Sequence, residues 1–271
     1  MIKHYLKVAF RNLMKYKMQS FVSIIGLAVG FTCFALSALW IRYEMTYDNF
    51  HKGSDRIYMV RAHYANEPGT SKFTPYPLME YLQDKMPEIE AATAFTPHHV
   101  KFRLEETEQE VGMIDADSVF MNFFDIQLLK GTVNFLKCDG QEVAITKEFA
   151  KRLFSKEEDA LGKEVEVGRR VCKIGAIVSG WSNHSNIPYN ILAPARHSPR
   201  WGSSNEQLFI RVRERTDIDA FRTKMSTVHI NDIEKESELS DLLITRMSAL
   251  RYSDYVDKAD VVISFSYIFY F

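Results

Sequence analysis

The sequence predicts an α+β fold that follows a single membrane-spanning helix, and three features of the chain lead to that prediction. An uncharged apolar run extends from Phe21 to Ile41. Beyond residue 42, short segments rich in β-branched and aromatic residues alternate with turn signals, which is typical of strands. A few stretches with apolar residues at helical spacing lie between those segments, and no internal repeat or low-complexity tract interrupts them.

The apolar run from Phe21 to Ile41 has the length and composition of a transmembrane helix. It would measure about 30 Å as a helix, which is the thickness of the hydrocarbon core of a bilayer. Trp40 and Tyr43 stand at its far end, where an interfacial aromatic belt is expected. A cleaved signal peptide is the alternative, with Ala35 and Ser37 as a passable cleavage motif. Both the basic and the apolar regions are longer than in signal peptides, and the intact mass of the membrane-extracted protein separates the two interpretations.

The charges on either side of this run predict its orientation. Residues 1–20 contain no acidic residue and five basic ones, which are Lys3, Lys7, Arg11, Lys15 and Lys17. Arg42, Glu44 and Asp48 follow the run, so that side has no positive excess. The positive-inside rule therefore places the N-terminus in the cytoplasm, the span in the cell inner membrane and the chain from residue 42 onward in the periplasm.

Residues 1–20 also predict an amphipathic basic helix. Apolar residues fall on one face at helical spacing and the basic residues fall on the other; the apolar ones are Ile2, Leu6, Ala9, Phe10 and Leu13. Such a helix is expected to lie along the cytoplasmic membrane surface, with its basic side chains among anionic lipid headgroups. The alternative is a tail that only orients the span.

The chain beyond the span predicts several short strands and about four helices. The expected strands are 56–65, 89–95, 99–104, 110–114, 143–146, 164–167, 170–177, 187–192, 207–213 and 242–247. The expected helices are 77–86, 118–124, 147–154 and 217–230, the first of them opening on Pro77. In the second helix, three phenylalanines are expected to anchor a core: Phe120, Phe123 and Phe124.

The C-terminal run Val261–Phe271 is uncharged, apolar and too short to span a bilayer. We expect it to be the start of a second transmembrane helix that is cut off, the alternative being a final buried strand. The predicted organisation is therefore a cytoplasmic amphipathic helix at 1–20, a transmembrane helix at 21–41, a periplasmic core domain at 42–258 and the start of a truncated helix at 259–271.

Motifs for catalysis, cofactor binding or metal binding are absent from the sequence. It contains no GxxxxGK[ST], GxSxG, HExxH or paired CxxC. His98 and His99 are neighbours, which on a strand point to opposite faces, while His184 and His197 are expected to be solvated loop residues. The acidic runs at 105–106 and 157–159 are interpreted as solvated turns. We therefore predict no catalytic, cofactor-binding or metal-binding residue and no enzymatic activity.

Charge, cysteines and glycines add three weaker expectations. The formal net charge is -1, so electrostatics give no case for a nucleic-acid partner. Cys138 and Cys172 could pair in an oxidising compartment, but their irregular spacing favours two free thiols, and Cys33 lies in the apolar run. Gly26 and Gly30 form a GxxxG pair that could let two membrane helices pack closely.

Five segments carry a resemblance to a known family. They read YLKVAFRNLMKYK (5–17), YDNFHKGSDRIYMV (47–60), PLMEYLQDKMPEIEAAT (77–93), DSVFMNFFDIQLLKG (117–131) and VAITKEFAKRLFSKEEDALGKEV (143–165). In this order, and with the second directly after a membrane helix, the segments resemble the N-terminal part of MacB/FtsX-type ABC transporter permeases. The resemblance covers essentially the whole chain.

The resemblance implies a MacB-like periplasmic core domain built from a porter-like subdomain and an inserted second subdomain. It implies a cytoplasmic ABC ATPase as partner, which would bind the ATP, and a second permease protomer in a homodimer or heterodimer. The implied function is transmission of ATP-driven conformational change to the periplasm, for efflux, lipoprotein release or control of wall hydrolases. Because the ATPase-contacting loop of the family lies beyond the second helix, this chain alone is not expected to couple to ATP hydrolysis.

Two other classes of function compete with this one. A single-pass sensor or binding protein would have an external ligand-binding domain, but residues 1–20 are too short for a cytoplasmic signalling domain. An anchored periplasmic enzyme would need a nucleophile with its base or a metal site, and no sequence motif indicates either. In-frame apolar helices downstream of codon 271 and a neighbouring ATPase gene would favour the permease.

Overall fold

The structure is a computed structural model that describes residues 2–64, 69–137, 141–154, 156–181, 184–228 and 239–251. The chain forms two compact units, Met1–Tyr47 and Asp48–Phe271. The expected truncated helix at 259–271 lies outside the described residues, and so does Cys138. The second membrane helix and the state of the two cysteines therefore remain predictions.

The first unit consists of two helices, α1 (Ile2–Lys15) and α2 (Lys17–Met45), which are separated at Tyr16. Helix α2 has 29 residues and a mean hydropathy of 2.2 over its most apolar stretch, so by length and composition it can cross a membrane. It extends the apolar run by a turn at each end, because Lys17–Ser20 and Arg42–Met45 continue the helix into regions where polar headgroups would be met.

The second unit is mixed α+β, as predicted. Its strands are β1 (Ile57–Tyr64), β2 (Thr70–Ser71), β3 (Thr74–Pro75), β4 (Ile89–Leu104), β5 (Thr107–Ala116), β6 (Leu128–Gly131), β7 (Glu142–Thr146), β8 (Glu164–Val167), β9 (Arg170–Val178), β10 (Ile191–Pro194), β11 (Ser204–Val212) and β12 (Leu239–Arg246). Its helices are α3 (Pro77–Lys85), α4 (Ser118–Phe123), α5 (Lys147–Leu153) and α6 (Ile218–Ser226). Short 3-10 helices cover Ser54–Arg56, Val133–Leu136, Glu157–Ala160 and Met247–Ala249.

Four strands and two helices form a ferredoxin-like subdomain. The strand order is β12-β1-β11-β4, and each neighbouring pair is antiparallel. Helix α3 joins β1 to β4, and α6 joins β11 to β12, which is the β-α-β-β-α-β pattern. Leu78 and Leu82 of α3 and Phe221 and Met225 of α6 are buried in the core of this subdomain, as their helical spacing predicts.

Residues 96–203 form an inserted subdomain between the second and third strands of that pattern. It continues the sheet in the order β4-β5-β10-β7-β9-β6, with β8 bridging β4 and β9. Strand β10 runs parallel to β5, and β9 runs parallel to β7. Phe102 of β4 and Phe149 of α5 pack edge to face at 5.0 Å in its core. An insertion within a first subdomain is the organisation that the resemblance implied.

Strand β4 joins the two subdomains, and here the sequence-based prediction of two strands was wrong. Residues 89–95 pair with β11, whereas residues 96–104 pair with β5. Pro97 lies where the strand changes partner, and its missing N–H interrupts the sequence pattern without ending the strand. Phe95 marks the end of the pairing with β11, opposite Gln207.

An aromatic cluster lies where the subdomains meet. Phe95 stacks on Phe209 of β11 at 5.4 Å and meets Phe120 of α4 at 4.8 Å. Phe120, Phe123 and Phe124 are all buried, which confirms that this short helix anchors a core. The cluster therefore connects the two subdomains through apolar contact.

Candidate functional site

Asp48 begins the second unit, three residues after the end of α2, and its side chain is completely buried. Its φ of 57° lies in the left-handed region, which Asp tolerates better than most residues. A carboxylate buried this completely needs hydrogen-bond donors, so its partners show what the position does.

The donors come from the loop between β9 and β10. The Ser185 hydroxyl donates to Asp48 Oδ1 over 2.5 Å, and the Asn186 backbone N–H and side-chain amide donate to Oδ2 over 3.1 and 2.6 Å. The Asp48 N–H donates in turn to the His184 carbonyl over 3.2 Å. These bonds tie the first residue of the unit to a loop of the inserted subdomain, and we call Asp48 with residues 184–187 the junction.

The junction also explains why β10 starts later than predicted. The sequence favoured a strand over 187–192, but the observed strand begins at Ile191. The Ile187 N–H donates to Ser185 Oγ over 3.0 Å, and the Ile187 carbonyl accepts a 2.9 Å bond from the Trp181 indole. These local bonds hold the start of the predicted strand in the junction instead of in the sheet.

His51 and three aromatic rings pack beside the junction. The centroid of the imidazole lies 4.3 Å from the ring centroid of Phe50, 5.1 Å from that of Phe124 and 4.7 Å from that of Trp181. Burial lowers the pKa of His51 to about 4, and the nearby Arg211 charge acts in the same direction. The imidazole is therefore neutral at pH 7 and behaves as part of the aromatic packing.

The carboxyl of Asp48 and the ring of His51 do not form an ion pair. His51 Nε2 lies 3.9 Å from Asp48 Oδ1, which is beyond hydrogen-bond distance. Burial raises the pKa of the Asp48 carboxyl, while the hydrogen bonds from Ser185 and Asn186 oppose that shift. Hydrogen bonds from Ser185 and Asn186 hold the carboxyl group in place.

Serine, histidine and aspartate meet here, but the arrangement is not that of a hydrolase triad. The Ser185 hydroxyl donates directly to Asp48, whereas a nucleophilic serine donates to the imidazole of its base. Ser185 is also buried, so a substrate could not reach it. The geometry is that of a structural hydrogen-bond network that joins residues far apart in the sequence.

We predict that His51 makes the stability of the protein depend on pH. Because the pKa of His51 is about 4 in the folded state and the ordinary value for histidine is 6.5, the unfolded chain binds the proton first as the pH falls. The free energy of unfolding should decrease between pH 6.5 and pH 4 by up to about 3 kcal/mol. Urea unfolding of the full chain in detergent, followed by circular dichroism at several pH values, measures the slope of the free energy of unfolding against pH.

Glutamine at position 51 is the test variant, and glutamine at the exposed His99 is its matched control. His51→Gln should have a shallower slope between pH 6.5 and pH 4, and His99→Gln should keep that of the wild type. Equal slopes for the wild type and His51→Gln would show that His51 is not the group that titrates.

The structure places the other histidines singled out in the sequence in different surroundings. His99 is exposed, and His98 lies half-buried with Nε2 at 3.6 Å from Asp115 Oδ1. The expectation of a solvated loop residue was wrong for His197, whose side chain is 17 % exposed and contacts two carboxylates. His184 is half-buried and supplies a carbonyl to the junction. Among the described residues, no three His, Cys, Asp or Glu side chains are grouped to hold a metal ion.

Gly26 and Gly30 both lie on α2. A Cβ atom built on either residue would meet nothing within 4 Å in the described part of the chain, so both positions face open space. Close packing of another helix against this face remains a prediction. The sequence did not predict the junction. Its first segment, 47–60, is part of the family resemblance, and its second, around His184, was predicted only as a solvated loop.

Comparison with known proteins identifies the family of this chain. The profile of the MacB-like periplasmic core domain matches residues 20–228, which is most of the sequence and includes the whole junction. The chain belongs to the MacB-like periplasmic core domain family. The resemblance to MacB/FtsX-type ABC permeases inferred from the sequence is thereby confirmed, and so is the expected α+β fold.

Solved structures share the fold of this MacB-like domain. A domain assigned to a permease of Porphyromonas gingivalis is 19% identical, with a TM-score of 0.58 over 72% of this chain and 92% of that one. The extracellular domain of the noncanonic ABC-type transporter YknZ from Gram-positive bacteria is 14% identical, with a TM-score of 0.51 and coverages of 70% and 99%. The periplasmic region of MacB from Actinobacillus actinomycetemcomitans is 12% identical, with a TM-score of 0.51 and coverages of 74% and 94%. A search of curated protein sequences finds no significant match.

Proposed function

We propose that this chain is a permease subunit of an ABC transporter and transmits ATP-driven conformational change from the cytoplasm to the periplasm. One observation carries the proposal: a MacB-like domain follows an apolar helix long enough to cross a membrane, and Asp48, the first residue of the second unit, is hydrogen-bonded to Ser185 of the inserted subdomain. Movement of the outer end of α2 would be passed along the chain to Asp48. Its hydrogen bonds would then pull the 184–187 loop, and with it the inserted subdomain.

The proposed partners are a cytoplasmic ABC ATPase, which binds the ATP, and a second permease protomer, identical or different. The chain itself holds no cofactor and performs no catalysis in this proposal. The work transmitted would serve efflux, lipoprotein release or control of wall hydrolases. Family membership supports the permease over a single-pass sensor, because this family supplies periplasmic domains to ABC permeases.

The proposed location is the inner membrane, with the N-terminus in the cytoplasm and the MacB-like domain in the periplasm. Lys7, Arg11 and Lys15 of α1 are exposed, so they are available to anionic headgroups of the cytoplasmic leaflet. Trp40 and Tyr43 are exposed near the other end of α2, with their rings 6.4 Å apart, which suits the opposite interface.

Cysteine labelling of the full chain tests this orientation. In a variant in which Cys33, Cys138 and Cys172 are alanine, a membrane-impermeant maleimide should label Glu106→Cys in intact spheroplasts. Lys7→Cys should react only after the membrane is permeabilised, because it lies on the cytoplasmic side. Both positions are exposed in the structure, so the matched pair differs only in its side of the membrane. The reverse labelling pattern would contradict the proposed topology.

Purification from native membranes tests the partner. The tagged product of the reading frame that contains this chain, carrying the ATPase-contacting loop of the family, should retain an ABC ATPase after extraction in mild detergent. The activity of that ATPase is then measurable in lipid nanodiscs. Recovery of a signalling kinase instead would favour the sensor, and recovery of the chain without any ATPase would contradict the permease. Glu106→Ala, an exposed turn substitution, is the control and should retain the ATPase as the wild type does.

A further inference from the structure

His197 lies on the connection that leads from β10 back to β11, where the chain leaves the inserted subdomain. This connection is the second place at which the chain crosses between the subdomains, the first being strand β4 at Phe95–Pro97. At that first crossing the strand exchanges one partner for another, and Pro97 has no N–H to give to the sheet. The chain therefore crosses between the subdomains along a strand that lacks one N–H at Pro97 and, beside it, along the His197 connection.

The ring of His197 is held by residues from both subdomains. Its Nδ1 lies 3.0 Å from Glu206 Oε1 on β11, and its Nε2 lies 3.4 Å from Asp117 Oδ2, which follows β5 in the inserted subdomain. The phenol ring of Tyr76, just before α3, stacks on the imidazole. The two ring centroids are 4.0 Å apart and the ring planes differ by 14°. The histidine thus bridges one carboxylate from each subdomain while an aromatic ring covers its face.

The surroundings keep this histidine charged. Burial by itself would lower its pKa, but the nearby carboxylates of Asp117 and Glu206 outweigh that effect and raise the pKa to about 9. Tyr76 faces the same site with its own pKa raised by burial and by the carboxylates, so it stays neutral. The charge of His197 also acts on the carboxyl of Asp115, which pairs with His98 nearby.

We propose that His197, held between Asp117 and Glu206, is an ionic clasp that fixes the angle between the ferredoxin-like and inserted subdomains. The hinge is the stretch Phe95–Pro97 of β4, which lies beside the clasp, since Thr96 Oγ1 donates to the carbonyl of Asn205 over 3.3 Å. His197 acts as a positioning residue: while the clasp is closed, a pull on the junction moves both subdomains together. The inference deepens the proposed function, but it concerns an angle within one chain and can be tested without the ATPase.

The test is a distance measurement between the subdomains. Asp84 on α3 and Glu106 at the β4–β5 turn are exposed, and both can be changed to cysteine in the background without native cysteines. Spin labels are attached to these two cysteines in the full chain in lipid nanodiscs. Double electron–electron resonance then gives the distribution of distances between the two labels. At pH 7 the otherwise wild-type chain should give one narrow distribution, and His197→Gln should give a broader one. His99→Gln, an exposed histidine on β4, should leave the distribution narrow.

A pH titration makes the proposal testable even if His197→Gln does not fold. In the otherwise wild-type chain, the distribution should broaden with a midpoint near pH 9, as the imidazole loses its proton. Asp117→Asn removes one carboxylate and keeps an N-cap side chain for α4, so its midpoint should shift to lower pH. A distribution that stays narrow to pH 10, or an unchanged midpoint in Asp117→Asn, would overturn the clasp. Loss of the ATPase in the separate purification would instead contradict the permease.

Discussion

Replacing Asp48 with alanine is expected to lower the free energy of unfolding of the full chain by at least about 3 kcal/mol. The carboxylate accepts three hydrogen bonds in a site with no solvent exposure. Alanine would leave the Ser185 hydroxyl, the Asn186 N–H and the Asn186 amide without their acceptor. Each buried group that loses its partner costs about 1–3 kcal/mol.

Two milder variants separate the loss of hydrogen bonds from the loss of side-chain volume. Asp48→Asn keeps the volume and one acceptor oxygen, which can still serve the two Asn186 donors, so its effect should be smaller. Ser185→Ala removes two bonds, the one donated to Asp48 and the one accepted from the Ile187 N–H, and should cost about 2 kcal/mol. Glu106→Ala, in an exposed turn, should have no measurable effect.

Urea unfolding in detergent micelles measures these differences. Trp181 reports on the junction because its indole donates to the Ile187 carbonyl, so Trp40 and Trp201 are replaced by phenylalanine in every variant. Equal unfolding midpoints for Asp48→Ala and Glu106→Ala would show that the junction does not hold the domain together.

The second large effect is expected at Phe95, where alanine should reduce the free energy of unfolding by about 3–5 kcal/mol. The ring is fully buried and contacts Phe120, Phe124 and Phe209. Its loss would leave a cavity among side chains from both subdomains, at the place where β4 changes partner. The surrounding rings are fixed by their own contacts and can close such a cavity only in part.

Val171→Ala is the control for this substitution, since Val171 on β9 is 69% exposed. In the same urea titration, the control should lower the free energy of unfolding by less than about 0.5 kcal/mol. Phe95→Leu, which fills part of the space, should fall between the control and Phe95→Ala. An alanine variant as stable as Phe95→Leu would mean that the cluster repacks freely and does not join the subdomains.

Elements with local sequence signals were predictable. Uncharged length predicted the long apolar helix α2, and helical spacing predicted α3 and α6 with their buried residues Leu78, Leu82, Phe221 and Met225. Strand β8 was predicted with its observed bounds, because alternation and a following glycine mark a hairpin. In each of these elements the signal lies within a few residues of the structure that it specifies.

Elements that depend on distant partners were not predictable. Strand β4 was divided in two because Pro97 looks like a strand breaker, and only the two partners β11 and β5 show why it is not. Strand β6 has too little alternation to be recognised and forms because β9 lies beside it. Asp48 and Ser185 are 137 residues apart, and His197 needs Asp117 and Glu206 from two other strand ends. These sites form because the fold brings residues together that are far apart in the sequence, and no local sequence pattern predicts such contacts.

In the proposed mechanism, ATP-driven movement reaches the MacB-like domain through α2. It is tested most directly by the distance between labels at Leu39→Cys near the outer end of α2 and Glu106→Cys in the domain. The sample is a cysteine-free form of the reading-frame product that carries this chain and the ATPase-contacting loop, with the co-purified ATPase in nanodiscs. It is measured with and without a non-hydrolysable ATP analogue. We expect the nucleotide to shift this distance distribution. An identical distribution in both states, with nucleotide binding to the ATPase confirmed, would contradict the account.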